Sequence, residues 1–249
     1  MSGHSKWSTI KRKKASQDAK RSNIFAKLLR AIEVAAREGG GSVEGNMTLA
    51  SAVEKARDAS VPMDNIERAI KRGTGELEGA TYEEITYEGY GPGGVAVMVA
   101  CLTDNRNRTT QEVRHALTRN GGNLGESGST GWMFSRKGVI QIEKAGSPEE
   151  ERLLEIALEA GAEDLSDSES TWDITCDPAS FAGVRRSVEE AGTPMLSAEL
   201  TMVPQTTVPV TGGQARQVLA MLDALEELDD VQAVYANFDI REDVMAEVG

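Results

Sequence analysis

Ile85-Thr86-Tyr87-Glu88-Gly89-Tyr90-Gly91-Pro92-Gly93-Gly94-Val95-Ala96-Val97-Met98-Val99-Ala100-Cys101-Leu102 is the stretch where this chain changes its hydrophobic period. Ile85 and Tyr87 alternate with Thr86 and Glu88, the two-residue period of a strand with one buried face. Gly89–Gly94, with Pro92 inside it, turns the chain. Val95–Leu102 is then an unbroken apolar run with the length of a buried strand. Thr109 and Glu112 match a capping box for a helix carrying Val113, Ala116 and Leu117, which Gly121-Gly122 closes. A strand-like segment around Trp132–Phe134 makes the unit β-β-α-β.

Upstream the period is helical. Ile24, Phe25, Leu28, Leu29, Ile32 and Ala36 recur at helical spacing, and Gly39-Gly40-Gly41 stops that helix. Leu49, Val53 and Ala56 form a second stripe, with Asn46 or Thr48 as cap. Pro62, at a first-turn position, opens a third helix carrying Ile66, Ala69 and Ile70, and Gly73 ends it. Short helices with one apolar face each predict a small bundle.

Downstream, Val139–Ile142 reads as a strand. Ser147-Pro148-Glu149-Glu150 combines a capping box with proline at N1, opening a helix through Leu153, Leu154, Ala157 and Leu158. Thr171–Cys176 is a strand, Asp177-Pro178 opens a helix through Val184 and Val188, and Met195–Val203 is a further strand. With a short edge strand at Ala162–Leu165 this is a ferredoxin-like α+β unit. The tail adds a lone helix (Val218, Leu219, Leu222, Leu225) and a lone strand (Val231–Phe238), which cannot make a domain and complete the 79–137 unit. The expected fold class is α+β and multidomain. It comprises an N-terminal helical bundle over 1–78, a discontinuous α+β domain from 79–137 plus 204–249, and an inserted ferredoxin-like domain at 138–203.

The 249 residues carry a formal charge of −13, unevenly divided. Residues 1–30 hold nine positive side chains against one acid, Asp18. Residues 76–249 hold 12 positive and 32 negative side chains. A basic arm on an acidic body points to a polyanion partner for the front of the molecule. No run of about 18 uncharged apolar residues exists to span a membrane. No apolar core of a secretory signal follows Lys14, although the segment shares the Arg and Ser richness of a transit peptide. Cys101 and Cys176 sit far apart in apolar stretches and read as small buried hydrophobes of a reducing compartment.

The only histidines, His4 and His115, form no cluster with cysteine at zinc spacing, and there is no nucleophile–base signature. No catalytic residue, metal or cofactor is expected; a remote alternative is an enzyme working in a cleft between domains. Glu149–Glu151 and Asp229-Asp230 read as helix starts, turns or solvated faces. The glycines of 89–94 and 121–131 lack the lysine of a phosphate loop and read as turns. Arg106 and Arg108, placed at a helix N-terminus, can contact phosphate, or Asp104 can pair one of them. The strongest signal is Gly3-His4-Ser5-Lys6-Trp7 followed by Lys11-Arg12-Lys13-Lys14, Lys20-Arg21 and Lys27. Trp7 can stack on a base while its neighbours neutralise phosphates.

Gly3–Trp7, Asn65–Lys71, Tyr87–Val95, Leu102–Thr109, Glu112–His115 and Gly121–Ser129 together resemble the YebC family. These motifs spread over residues 3–137; beyond 138 the likeness is one of layout. The resemblance implies three domains, a helical first and two α+β, the second discontinuous. It implies a probable transcriptional regulatory protein that binds DNA, with mitochondrial relatives acting as translational activators on the ribosome. The His4-Ser5-Lys6-Trp7 start beside the initiator methionine argues against a cleavable transit peptide. Lys11-Arg12-Lys13-Lys14 is more basic than the family pattern, in which a histidine often interrupts the run. The combined expectation is a cytoplasmic, non-enzymatic, monomeric regulator whose partner is nucleic acid, DNA or ribosomal RNA, with the ribosome as a further partner.

Overall fold

A computed structural model describes residues 18–240 apart from 146, 148, 169 and 170, with side chains described from residue 23 onward. Among the described residues seven α-helices and two four-stranded sheets form. The first three helices are α1 (Asp18–Gly39), α2 (Met47–Asp58) and α3 (Met63–Gly73). Ile32, Ala35 and Ala36 of α1 meet Leu49, Val53 and Ala56 of α2 and Ile66 and Ala69 of α3 in one core. Asn46 settles the choice of cap. Its side chain accepts from Leu49 N at 3.1 Å and donates to the carbonyls of Ala35 and Gly40, serving the start of α2 and the end of α1 together. Gly73 lets α3 reach α1, since a Cβ there would lie 2.4 Å from the Glu33 carbonyl oxygen. Pro62 sits one place before α3 rather than inside its first turn.

Strands β1 (Glu83–Tyr90) and β2 (Ala96–Thr103) are antiparallel, joined by the Gly91–Gly94 turn. Helix α4 (Arg106–Arg119) and the short β3 (Asn123–Leu124) follow. Then come β4 (Phe134–Glu143), α5 (Glu150–Glu159), the consecutive strands β5 (Ala162–Ser168) and β6 (Thr171–Cys176), α6 (Phe181–Glu190) and β7 (Met195–Pro204). The chain ends with β8 (Val208–Pro209), α7 (Gly212–Glu226), β9 (Val231–Ala236) and β10 (Phe238–Asp239). The first sheet has the order β3-β1-β2-β9, so a strand from the tail pairs with the apolar run at 96–103. Val97, Val99 and Cys101 of β2 share a core with Val113 and Leu117 of α4 and Val218, Leu222 and Leu225 of α7. The second sheet, β5-β6-β4-β7, is antiparallel throughout, the order and directions of a ferredoxin-like unit.

Four local readings are corrected. The segments around 132–134 and 139–142 are not separate strands in separate sheets. Gly131–Met133 is a turn, and Phe134–Glu143 is one strand of the second sheet, paired with β7 from Phe134↔Pro204 onward. That strand crosses the 137/138 limit; Arg136-Lys137-Gly138 interrupts the apolar alternation without interrupting the strand. Helix α4 starts four residues early, capped by Asn105 rather than Thr109, with Asn105 Oδ1 accepting from Arg108 N at 3.2 Å. Helix α5 starts after Glu149 without a side-chain cap, and Pro148 lies outside the described residues. Asp177 accepts from Ala179 N at 2.9 Å in a side-chain-closed turn, and α6 begins only at Phe181.

Candidate nucleic-acid interface and its docking latch

His4, Lys6, Trp7, Lys11, Arg12, Lys13 and Lys14 lie outside the described residues. Lys20 and Arg21 stand on α1, whose backbone alone is described there. From Asn23 on, the polar face of α1 is engaged with the rest of the protein. Asn23 donates to the Glu227 carbonyl at 3.0 Å, and Lys27 Nζ donates to the Glu226 carbonyl. Arg30 donates to the carbonyls of Asp229 (2.7 Å) and Leu102 (3.2 Å), and its guanidinium lies over the Tyr82 ring. Glu226 and Glu227 end α7, where unpaired carbonyls and the negative end of the helix dipole favour cations. Lys27, expected at a phosphate, is therefore used inside the molecule.

Asp230 is the hub of this contact. Its side chain is only 2% exposed, yet it forms ion pairs with Arg30 at 3.1 Å and Arg108 at 2.6 Å. The hydroxyls of Thr109 (2.6 Å) and Thr103 (3.1 Å) also donate to it. Burial pushes the Asp230 carboxyl up, but the hydrogen bonds from Arg108, Thr109 and Thr103 outweigh it, so the group titrates below the usual range. Of the readings offered for Asp229-Asp230 the turn holds, and the solvated face is corrected at Asp230. Arg108 also meets Asp104 at 2.9 Å, so the pairing considered for this loop is present. Arg106 is exposed. A cleft of about 440 Å³ beside the hub is lined by five carboxylates, two arginines and Leu228, a setting that holds cationic side chains rather than phosphate.

The glycine-rich loop at 125–131 also carries a charge-binding geometry, and the protein itself fills it. Glu88 accepts from the backbone N–H groups of Gly128 (2.8 Å), Thr130 (2.6 Å) and Gly131 (2.6 Å). Burial raises the Glu88 carboxyl, these backbone donors lower it, and the net shift is downward. The clamped loop leads into Trp132, which is 67% exposed. Cys101 and Cys176 are free and buried, and burial pushes the Cys101 thiol up to about 12. Among the described residues no group of His, Cys, Asp or Glu could hold a metal ion, and no helix is long and apolar enough to cross a membrane.

Sequence reasoning missed Arg30 and Asp230 as partners. Arg30 lies among other basic residues, and Asp230 stands 200 positions away in a run of acids. Thr103 and Thr109 lay within a noticed motif, but only their shared acceptor reveals their use.

The class defined here is an α+β protein with a three-helix N-terminal unit latched through a buried aspartate onto a sheet domain, beside a ferredoxin-like unit. Residues 5–76 match the family model described as the TACO1/YebC protein N-terminal domain, and residues 82–238 match the TACO1/YebC second and third domain. The chain belongs to the TACO1/YebC family. It is 59% identical over 249 residues to a probable transcriptional regulatory protein of Rubrobacter xylanophilus, covering 100% of this chain and 99% of that one. A protein of the same description from Geobacter sulfurreducens is 56% identical over 245 residues, covering 98% of each. The crystal structure of a conserved hypothetical protein from Aquifex aeolicus superposes with a TM-score of 0.79 at 50% identity, covering 91% of this chain and 93% of that one.

Proposed function

We propose that this protein is a nucleic-acid-binding, non-enzymatic regulator of gene expression that contacts DNA through the basic residues that precede Asn23. The observation that carries this reading is the charge division: nine positive side chains against one acid in residues 1–30, before a body with 12 positive and 32 negative. A segment so charged concentrates phosphate contacts, while the acidic body repels bulk nucleic acid and confines binding to one end. The relatives' description as probable transcriptional regulatory proteins supports the same reading. Cytoplasmic location and a monomeric state are part of the proposal.

Changing Lys11, Arg12, Lys13 and Lys14 to Glu in the full chain tests it. Binding to labelled duplex DNA should be abolished. In the parent, log affinity should fall with log salt at a slope of roughly −4 to −5, as about four to six phosphate contacts require. A parental slope near zero refutes the electrostatic account. Trp7 favours a second reading, contact with ribosomal RNA in translation, because unstacked bases offer it a face that a duplex hides. Under that reading Trp7→Ala weakens binding to structured ribosomal RNA by about 1–3 kcal/mol and changes duplex binding much less. Equal losses on both ligands would remove it.

A further inference from the structure

We propose that the outward face of α4, built on Arg114, His115 and Arg119 with Arg106 at the helix start, is a second phosphate-contact surface. It would engage the same nucleic acid as the basic segment, and it rests on that reading of the segment. Helix α4 carries four of the 12 positive side chains of residues 76–249, with Glu112 as its one acid. Thr109, Val113, Ala116 and Leu117 form its buried stripe. The remaining arc presents Gln111, Arg114, His115, Thr118 and Arg119, all exposed, with the half-buried Glu112 at its edge. Among the described residues Arg106, Arg114 and Arg119 have no ion pair.

Arg136, Arg152, Arg186 and Arg216 of the acidic body also have no ion pair among the described residues, but no other helix or strand of residues 76–249 gathers as many positive side chains as α4. Lys137 pairs with Glu163, Lys144 with Asp167, and Arg185 with Glu189 and Glu54. Helix stability does not account for the arrangement either. Arg119 suits the negative end of the helix dipole, but Arg106 stands at the positive end, where an acid would be favourable and α4 has none. Unpaired guanidinium groups spread over the exposed surface of a rigid helix fit a polyanion, to which arginine donates in bidentate fashion.

The latch gives this surface a fixed relation to the N-terminal unit. One carboxylate, Asp230, holds Arg30 of α1 through Oδ1 and Arg108 of α4 through Oδ2. Two contact surfaces so coupled act as a bivalent binder, in which the first contact raises the effective concentration for the second.

The test compares three full-length variants with the parent, by anisotropy over a KCl titration on a labelled DNA duplex and on a structured ribosomal RNA fragment. Arg114→Glu with Arg119→Glu should raise Kd about tenfold on the preferred ligand and make the salt slope shallower by about two, one per lost contact. Arg114→Lys with Arg119→Lys should keep most of the affinity, and neither pair should lower Tm. Parental Kd and slope in the Glu pair, alongside abolished binding in the Lys11–Lys14 reversal, overturn the second surface and leave the first standing. Unchanged binding in both reversals removes the nucleic-acid reading and this inference with it. A fall in Tm that tracks the lost affinity assigns the two arginines to structure and also overturns the proposal.

Discussion

Replacing Asp230 with Ala removes the acceptor that holds α1, β2 and α4 together. Two hydroxyls, Thr103 and Thr109, lose their carboxylate, at about 1 kcal/mol each. Arg30, 15% exposed at its side chain, keeps the carbonyls of Leu102 and Asp229, so its loss falls at the lower end of a charged hydrogen bond, about 1.5 kcal/mol. Arg108 is 43% exposed and still has Asp104, so screening reduces its share to about 0.5 kcal/mol. The shared acceptor makes these terms non-additive, and Asp230→Ala should cost about 3–4 kcal/mol at neutral pH. Urea denaturation followed by circular dichroism measures that loss, and hydrogen exchange should show new opening in both α1 and the end of α7. The pH dependence has a definite sign. Asp230 titrates lower in the folded protein than in the unfolded chain, so its stabilisation is present at neutral pH. It begins to fade near the unfolded value of about 3.9 and is lost below the folded one. A loss under about 1 kcal/mol, or unchanged exchange in α1, refutes the latch.

Two further outcomes follow from the same geometry. Glu88→Gln should free the Gly128–Gly131 loop, lowering the steady-state fluorescence anisotropy of Trp132 and costing about 1–2 kcal/mol, since three backbone donors lose a charged acceptor. With its carboxyl also titrating low, Glu88 should hold the loop at neutral pH and release it on acidification; an acid titration without any Trp132 response would contradict this. For the chain's organisation, residues 134–204 alone should unfold cooperatively in urea, and 79–133 alone should not. Joining 79–133 to 205–249 should restore cooperativity, because β9 and α7 complete the first sheet's core; a cooperative 79–133 fragment would defeat that proposal.

What the sequence made legible follows the range of the forces involved. Local periodicity placed Ile32 and Ala36 on a helix and Val95–Leu102 on a strand, because burial of one face leaves a regular mark. The orphan helix and strand of the tail pointed to a sheet elsewhere, and β9 lies against β2. Strand β4 was broken in two because its first part pairs with β7 alone and carries Arg136 exposed, so no apolar alternation marks it. Asp230 was illegible for a different reason. Acid runs at turns are usually solvated, and the two arginines and two threonines that bury this one lie far from it along the chain. Lys27 resembled every other lysine of the basic segment; only the position of the α7 terminus separates it from them.

Helix α1 is held on two opposite sides over its docked turns, with only Ile24 and Ala26 exposed between them from Asn23 to Ile32. Asn23, Lys27 and Arg30 recur at four and three residues along one side, and all three donate into residues 226–230. Phe25, Leu28, Leu29 and Ile32 lie on the opposite side and pack into the helical core. A helix held on both sides is a spacer. Of the nine positive side chains in residues 1–30, Lys27 and Arg30 are committed to the body, and the seven that precede Asn23 are those proposed for the ligand. The two groups respond differently to salt. Contacts between exposed cations and a polyanion weaken steeply as counterions compete, whereas the Arg30–Asp230 pair, with side chains 15% and 2% exposed, is poorly screened. Raising the ionic strength should therefore strip the nucleic acid before it undocks α1. A measured salt slope then counts ligand phosphates alone.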